Sequence, residues 1–241
     1  MAYTNERGLA PAEVIGHRGS PREFRENTLP SFQRAFHDGA DGIELDVHAT
    51  ADRVVVVHHD PSTNARPADS GPTIRIAEST LAEVQAVPVA GERVPTLAEV
   101  LLEAPKSAMV YVEVKVTGIE TEVVTAIRAS DRRCAVHSFD HRVARRVAEI
   151  APDIPTGILQ TSYPVDPIRP MRDALARDLW QHWELVDEAL IRLVHGDGRR
   201  VIAWTVNDAR VADRLVDWGI DGICTDTPRA MRALVDARRT R

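Results

Sequence analysis

Short runs of apolar, largely β-branched residues alternate with amphipathic helical patterns along nearly the whole chain. Nine runs predict strands, at 14–19, 42–49, 53–59, 108–116, 133–139, 155–160, 179–185, 200–206 and 219–226. Helical patterns separate most of them, at 29–38, 96–103, 119–130, 140–150, 167–178, 187–196, 208–217 and 228–238. This alternation is typical of a parallel sheet whose strands are connected by helices.

The number of strands narrows the fold class. Eight or nine strands in 241 residues favour an α/β fold, a (β/α)₈ TIM barrel, over a doubly wound sheet with fewer strands and a glycine-rich first turn. Only the residues TADR separate the second and third runs, so a strict barrel requires an irregular crossover or a shifted strand there. We expect one of the nine runs to be a short outer strand, with 155–160 or 179–185 as the candidate.

Residues 61–95 differ from the rest of the chain because they are rich in Pro, Gly, Ser and Thr. They predict an insertion after the third strand with at most one short helix, near 79–86. Long irregular segments at this end of a strand are more often functional than idle. We expect residues 1–241 to form one domain that contains this insertion.

Composition and charge exclude several classes of protein. The chain is 44% hydrophobic and 27% charged, and its net charge of −6 offers no general basic field for nucleic acid or an anionic membrane. Cys134 and Cys224 lie far apart, which favours reduced thiols. The first residues do not resemble a signal peptide, and no apolar run approaches the ~20 residues of a membrane span. We therefore expect a cytoplasmic protein with no stable membrane anchor and no nucleic-acid partner.

Polar side chains occur where several predicted strands end, which is where the active sites of TIM barrels lie. These residues are His17, Arg18, Glu44, Asp46, His59, Asp60, Glu113, Lys115 and Trp204. Because side chains alternate along a strand, Glu44 and Asp46 share one face, and so do Glu113 and Lys115. Three clustered carboxylates would repel one another, so they predict a hard divalent cation, Mg²⁺ or Ca²⁺, rather than zinc.

Each of these signals also has a structural explanation when it is taken alone. A single pair of carboxylates on a strand is more typical of a solvent-facing stripe, and Glu113 with Lys115 can be a structural ion pair. His17 can be a turn residue and Trp204 can pack the barrel. The coincidence of these groups at strand ends favours a functional site. Alternation does not decide which of His58 and His59 faces it.

The chain resembles the glycerophosphodiester phosphodiesterases in a series of motifs. It contains HRG at 17–19, ENT at 26–28, IELDV at 43–47 and an HD pair at 59–60, in the order and at the spacing of that family. Further matches are VPTLAEVL, VEVK, WTVN and GIDGICTD, at 94–101, 112–115, 204–207 and 219–226. The resemblance covers almost the entire chain.

The resemblance implies a TIM-barrel enzyme that hydrolyses glycerophosphodiesters to sn-glycerol 3-phosphate and an alcohol, using one divalent cation. Carried over by position, His17 and His59 are the expected acid/base pair, and the metal ligands are Glu44, Asp46 and Glu113. Arg18 and Lys115 are expected to contact the phosphate, and Trp204 the glycerol moiety. The HD motif thereby selects His59. The substrate is a small molecule, and the resemblance leaves a homodimer open.

Two positions depart from the family pattern. After His59–Asp60 the chain reads PSTNARPADSGP where many members have a leucine and an RTT-like segment, so the alcohol group is not predicted. His48 stands where an amide is common, and we expect it to face solvent. Asn27 and Thr28 fit an N-cap and are not assigned to the site.

Two other functions fit part of the pattern. A lysophospholipase D or sphingomyelinase D-like enzyme uses a similar barrel, but residues 61–95 contain no aromatics to form an apolar approach surface. A non-catalytic barrel that binds glycerol phosphate would not need the two histidines. The metal-dependent phosphodiesterase is therefore the leading hypothesis.

Overall fold

Nine strands form one sheet in the computed structural model, which describes residues 11–66 and 71–239. They are β1 (Glu13–His17), β2 (Gly42–Ala49), β3 (Val55–Val57), β4 (Met109–Val114), β5 (Arg133–Ser138), β6 (Thr156–Gln160), β7 (Asp178–His182), β8 (Arg200–Trp204) and β9 (Gly222–Thr225). Each predicted strand run overlaps one of them, and most of the observed strands are shorter than the predicted runs.

Most of the helices begin after a residue whose side chain caps their first turn. The helices are α1 (Leu29–His37), α2 (Leu81–Gln85), α3 (Leu97–Glu103), α4 (Glu120–Ser130), α5 (His141–Ile150), α6 (Ile168–Asp173), α7 (Glu188–Gly196), α8 (Ala209–Trp218) and α9 (Pro228–Arg239). Thr80 and Thr96 each form a capping box with a glutamate three residues later. Such caps satisfy the free N–H groups of the first turn. None of the helices within the described residues is long and apolar enough to cross a membrane.

Eight of the strands close into a barrel. The order runs β1–β9–β8–β7–β6–β5–β4–β2, and β1 pairs with β2 to complete the ring. All of these pairings are parallel. The prediction of a (β/α)₈ TIM barrel is therefore confirmed.

The ninth strand lies outside the barrel. The expectation that this outer strand is the run at 155–160 or 179–185 was wrong. The extra strand is β3, which pairs antiparallel with β2, whereas the runs at 155–160 and 179–185 both contain barrel strands. The short connection explains the direction of β3: the Thr50 backbone N–H donates a 3.0 Å hydrogen bond to the Val54 carbonyl, and Arg53 has a φ of +65°. The positive φ of Arg53 lies in the left-handed region, which tight turns often require. A tight turn can join antiparallel strands but not parallel ones.

The apolar side chains form separate layers that determine where polar groups can lie. The barrel interior is filled by Ile15, Met109, Tyr111, Ala135, Leu159, Trp180, Ile202 and Cys224. Two larger clusters fill the space between the strands and the surrounding helices. A small fourth cluster lies under the insertion and joins it to β3; it contains Val56, Ile76, Val84, Val89 and Val94. Beyond this packed interior, the polar side chains predicted for the site lie at the end of the barrel to which the C-termini of the parallel strands point, the mouth of the barrel.

Candidate active site

Three carboxylates lie buried at the mouth, on two neighbouring barrel strands. Glu44 and Asp46 are on β2, Glu113 is on β4, and Asp46 is the register partner of Glu113. All three side chains are buried. The shared face that alternation predicted for Glu44 and Asp46 brings them to the same place as Glu113.

Asp46 is surrounded by cations and a donor. Arg18 Nε lies 3.0 Å from Asp46 Oδ2, Lys115 Nζ lies 3.3 Å from Oδ1, and Asn27 Nδ2 donates a 2.8 Å hydrogen bond to Oδ2. Burial alone would raise the pKa of Asp46, but Arg18 and Lys115 outweigh it and hold that pKa below the ordinary range. Asp46 is therefore an ionised carboxylate that fixes the position of two cations.

Glu44 and Glu113 have the opposite electrostatic character. Burial, followed by the negative charge of Asp46, raises the pKa of Glu113 to about 7. Burial, followed by Asp46 and Glu113, also raises the pKa of Glu44. Glu113 accepts a 2.7 Å hydrogen bond from Lys115, and Glu44 accepts one of 3.2 Å from the Arg18 backbone N–H. These contacts do not offset the loss of solvation, so a further positive charge at this pair would be stabilising.

A buried histidine completes this group. His137, on β5, is the register partner of Glu113, and its Nε2 lies 3.9 Å from Glu44 Oε1. One ligand atom from each of Glu44, Glu113 and His137 lies within 4.8 Å of the others. Two ligands of one cation, each roughly 2.0–2.4 Å from it, are at most about 4.8 Å apart. The three residues therefore fit a divalent cation.

His17 lies at the end of β1 and is held by a carboxylate. Its Nδ1 is 2.8 Å from Asp226 Oδ1, just after β9. Asn207 donates a 2.7 Å hydrogen bond to the other oxygen of Asp226. Burial would raise the pKa of Asp226, but the contact with His17 outweighs it and lowers that pKa. The contact occupies Nδ1 and leaves Nε2 as the nitrogen available for chemistry.

His59 is likewise held by a carboxylate, that of the next residue along the chain, Asp60. Its Nδ1 donates a 2.8 Å hydrogen bond to Asp60 Oδ1, and its side chain is 30% exposed. Burial lowers the pKa of His59, with Asp46 opposing this and Arg18 adding to it. His59 is therefore within electrostatic reach of the carboxylate cluster.

Two further histidines near His59, His48 and His58, are each held by a hydrogen bond to a backbone carbonyl. His48 Nε2 donates to the His59 backbone carbonyl at 3.1 Å, and His58 Nε2 donates to the Ser62 carbonyl at 3.1 Å. Both side chains are buried. The expectation that His48 faces solvent was wrong, because its position on the inner face of β2 lets it hold the segment that carries His59.

A chain of ion pairs connects the insertion to the mouth. Arg66 lies 3.2 Å from Asp60 and 2.5 Å from Glu26, and Glu26 lies 3.1 Å from Arg18. Arg18 in turn contacts Asp46. Arg18 and Asn27 both have positive φ values, 53° and 58°, and strained residues of this kind cluster at functional sites.

Trp204, at the end of β8, forms an aromatic wall with two neighbours. Its ring meets Phe139 at 5.5 Å and His182 at 5.3 Å between centroids, both edge-to-face. Lys115 Nζ lies 5.9 Å from the Phe139 centroid. The wall is thus connected to the cationic side of the mouth.

Comparison with known proteins assigns the family. The model of the glycerophosphoryl diester phosphodiesterase family matches residues 17–230. The chain belongs to this family. A glycerophosphodiester phosphodiesterase of Caldanaerobacter subterraneus subsp. tengcongensis is 33% identical over 241 residues, which cover 92% of this chain and 97% of that protein. Family membership makes the protein a phosphoric diester hydrolase, as the sequence indicated.

Solved structures of other phosphodiesterases share the fold. A putative glycerophosphoryl diester phosphodiesterase from Silicibacter pomeroyi has a TM-score of 0.86 at 26% identity and covers 94% of each chain. An Oleispira antarctica phosphodiesterase, in complex with the product sn-glycerol-3-phosphate, has a TM-score of 0.85 at 23% identity, over 94% of this chain and 97% of that one. At 23% identity, the similarity to the Oleispira antarctica structure shows a shared fold.

Two residues of this phosphodiesterase site were absent from the sequence-based set. His137 is a single histidine in an apolar strand, and only its position at the end of β5 could have indicated it. Asn27 was explained by capping, yet Thr28 is the N-cap of α1 and Asn27 bonds to Asp46. Of the predicted ligands, Glu44 and Glu113 join His137, while Asp46 is paired with Arg18 and Lys115.

Proposed function

We propose that the enzyme hydrolyses glycerophosphodiesters to sn-glycerol 3-phosphate and an alcohol, with His17 and His59 as the general acid/base pair. The observation that carries this proposal is that each ring has its Nδ1 against a carboxylate, Asp226 or Asp60. Nε2 of each is then available to exchange a proton. The product bound in the Oleispira antarctica structure supports the same substrate class.

The charges of the mouth suit a phosphodiester. When all three are ionised, the carboxylates Glu44, Asp46 and Glu113 face two cationic side chains, Arg18 and Lys115, which leaves one net negative charge. A divalent cation would change this to one net positive charge, which balances the single charge of a phosphodiester. Neutralisation of the developing charge in the transition state is usually the largest catalytic contribution.

In this mechanism Arg18 and Lys115 bind the phosphate oxygens and orient the phosphorus between the two imidazoles. One histidine accepts the proton of the attacking oxygen, and the other donates a proton to the departing alkoxide. Acid–base catalysis of this kind contributes ~10²–10⁴-fold. Trp204 lies against the glycerol moiety.

Glu44 and Glu113 would hold the cation, which when bound acts as a Lewis acid on a phosphoryl oxygen. Oxygen ligands alone favour a hard ion such as Mg²⁺ or Ca²⁺. Asp46 contributes by holding Arg18 and Lys115 beside this pair, and its sequence-based role as a direct ligand stays a prediction.

The test is release of sn-glycerol 3-phosphate from glycerophosphocholine by single variants. We expect His17→Ala and His59→Ala to lower kcat by ~10²–10⁴-fold with the fold preserved in circular dichroism. His195→Ala is the matched control, because His195 also contacts an aspartate, Asp221 at 2.8 Å, away from the mouth. Normal turnover by either mouth variant would refute the assignment.

A second candidate substrate class is supported by an apolar rim. Five exposed side chains lie on loops that follow barrel strands: Phe24, Val116, Phe139, Tyr163 and Val165. The lack of aromatics in residues 61–95 does not exclude a lysophospholipid, because the five exposed residues lie elsewhere, after β1, β4, β5 and β6. We propose that the enzyme also accepts lysophospholipids, whose acyl chain would contact this rim.

A further inference from the structure

His137 is a buried imidazole that the proposed acid/base chemistry does not use. Its side chain is 1% exposed, and neither ring nitrogen has a hydrogen-bond partner among residues 11–66 and 71–239. A buried polar group without a partner costs free energy, so such groups in native proteins call for a ligand or another explanation. A structural role for His137 would require a hydrogen bond that the surrounding described side chains do not supply.

The ring of His137 is held in one orientation. It stacks on Trp180 with 4.2 Å between centroids and 6° between planes. Stacking covers one face of the ring and leaves both nitrogens at its edge. That edge approaches the carboxylate pair, since Nε2 lies 3.9 Å from Glu44 Oε1.

The distance of 3.9 Å is too long for a hydrogen bond and suits two ligands of one ion. An imidazole nitrogen is a common metal ligand, and a ring nitrogen of His137 lies within ligand distance of both carboxylates. His137 is therefore preorganised in position.

We propose that His137 is a nitrogen ligand of the cation held by Glu44 and Glu113, and that it makes the site prefer a transition-metal ion such as Mn²⁺ or Co²⁺ over Mg²⁺ and Ca²⁺. Imidazole is a poor ligand for the hard alkaline-earth ions and a good one for first-row transition metals. This inference rests on the cation site of the proposed function and adds a specific ligand to it.

The test uses the full chain freed of metal with EDTA and then loaded with Mn²⁺. Pulsed electron paramagnetic resonance of the Mn²⁺ protein should show ¹⁴N modulation from a directly bound imidazole. His137→Phe keeps a ring to stack on Trp180 and removes the nitrogen ligand, so the modulation should disappear. His141→Gln is the matched control, because His141 donates to the Leu159 carbonyl and leaves His137 intact.

Calorimetric titration provides the second readout. In His137→Phe we expect Mn²⁺ affinity to fall ~10–100-fold, a loss typical of altered metal sites, while Mg²⁺ affinity changes less than about threefold because oxygen ligands carry it. His137→Gln, which retains a polar side chain, serves the same purpose if the phenylalanine variant does not fold.

The outcomes separate the two proposals. Binding of Mn²⁺ by the wild-type protein without ¹⁴N modulation, or with modulation that persists in both His137 variants, would overturn the role of His137 and leave the cation site intact. Failure of the wild-type protein to bind either Mn²⁺ or Mg²⁺ would overturn the cation site together with its ligand. Loss of binding in Glu44→Gln and Glu113→Gln for every ion, with the ¹⁴N result above, would support both.

Discussion

At the scale of single residues, three neighbouring carboxylates differ in protonation because their partners differ. Asp46 has Arg18, Lys115 and Asn27 around it and stays ionised. Glu44 and Glu113 are equally buried, but the charge of Asp46 raises their pKa values further. Asp46 therefore positions two cationic side chains, whereas Glu44 and Glu113 would be stabilised by binding a further cation.

Cation binding should therefore depend on pH. Because the pKa of Glu113 is raised to about 7, its carboxyl is largely protonated below that pH, and a cation must displace the proton. Affinity should rise as the pH increases through this value and should fall about tenfold per pH unit below it for each proton released. Calorimetry at pH 6 in buffers of different ionisation enthalpy measures the protons released. We expect at least one, and none would contradict the raised pKa.

The contact between His17 and Asp226 gives a second prediction. Asp226→Asn keeps the shape of the side chain but removes the carboxylate that holds Nδ1 of His17. We expect kcat to fall by ~10²-fold with little change in KM, since an acid/base group contributes at least that much. Asp226→Glu should recover part of the rate.

The control for that variant is Asp221→Asn. Asp221 precedes β9 at the opposite end of the barrel and contacts His195 in the same way. Its substitution should affect stability and leave kcat of the folded enzyme near the wild-type value. Equal losses of kcat in both variants would indicate a general structural effect.

The site was predictable from sequence where a strand period fixed the side-chain direction. Alternation alone placed Glu44 with Asp46, and Glu113 with Lys115. It could not identify His137, because one histidine in an apolar strand has no periodic partner. Nor could it choose between His58 and His59, since both follow the strand, and tertiary contacts with Ser62 and Asp60 distinguish them.

At the scale of elements, β3 and the insertion form a unit that carries His59. Val56 of β3 packs with Ile76, Val84 and Val89 in a small cluster separate from the larger cores. The hairpin after β2 directs the chain outward and returns His59 to the mouth. The sequence indicated the strand but not its direction, because the valine run reads equally well as a barrel strand.

Ile76→Ala should loosen this unit more than the barrel. Ile76 is fully buried in the small cluster, and truncation of a buried Ile costs ~2–5 kcal/mol. We expect faster hydrogen exchange across 74–94 and at 55–60, with lower kcat, while exchange in the β5–β8 strands is unchanged. Leu190→Ala, in the outer core, should show the reverse pattern. Uniform loss of protection in Ile76→Ala would show that the insertion and barrel unfold together.

At the scale of the whole molecule, the barrel separates structural packing from chemistry. Apolar residues fill its interior up to Trp180 and Tyr111, and the loops at one end carry the charged site and the apolar rim. The barrel could be predicted from the alternation of strands and helices, and the family from the motifs. The rim could not be predicted, because exposed loop residues have no pattern along the chain.

The rim provides the last prediction, which concerns substrate choice. We expect the double variant Phe24→Ser, Val165→Ser to lower kcat/KM for lysophosphatidylcholine about tenfold, because each methylene group removed from contact costs ~0.8 kcal/mol. Glycerophosphocholine has no acyl chain, so its turnover should stay within about twofold. Leu102→Ser, Leu193→Ser is the matched control, since both leucines are exposed on helices away from the mouth. Equal effects on the two substrates would remove the rim from substrate recognition, while the assignment of His17 and His59 would still stand on its own test.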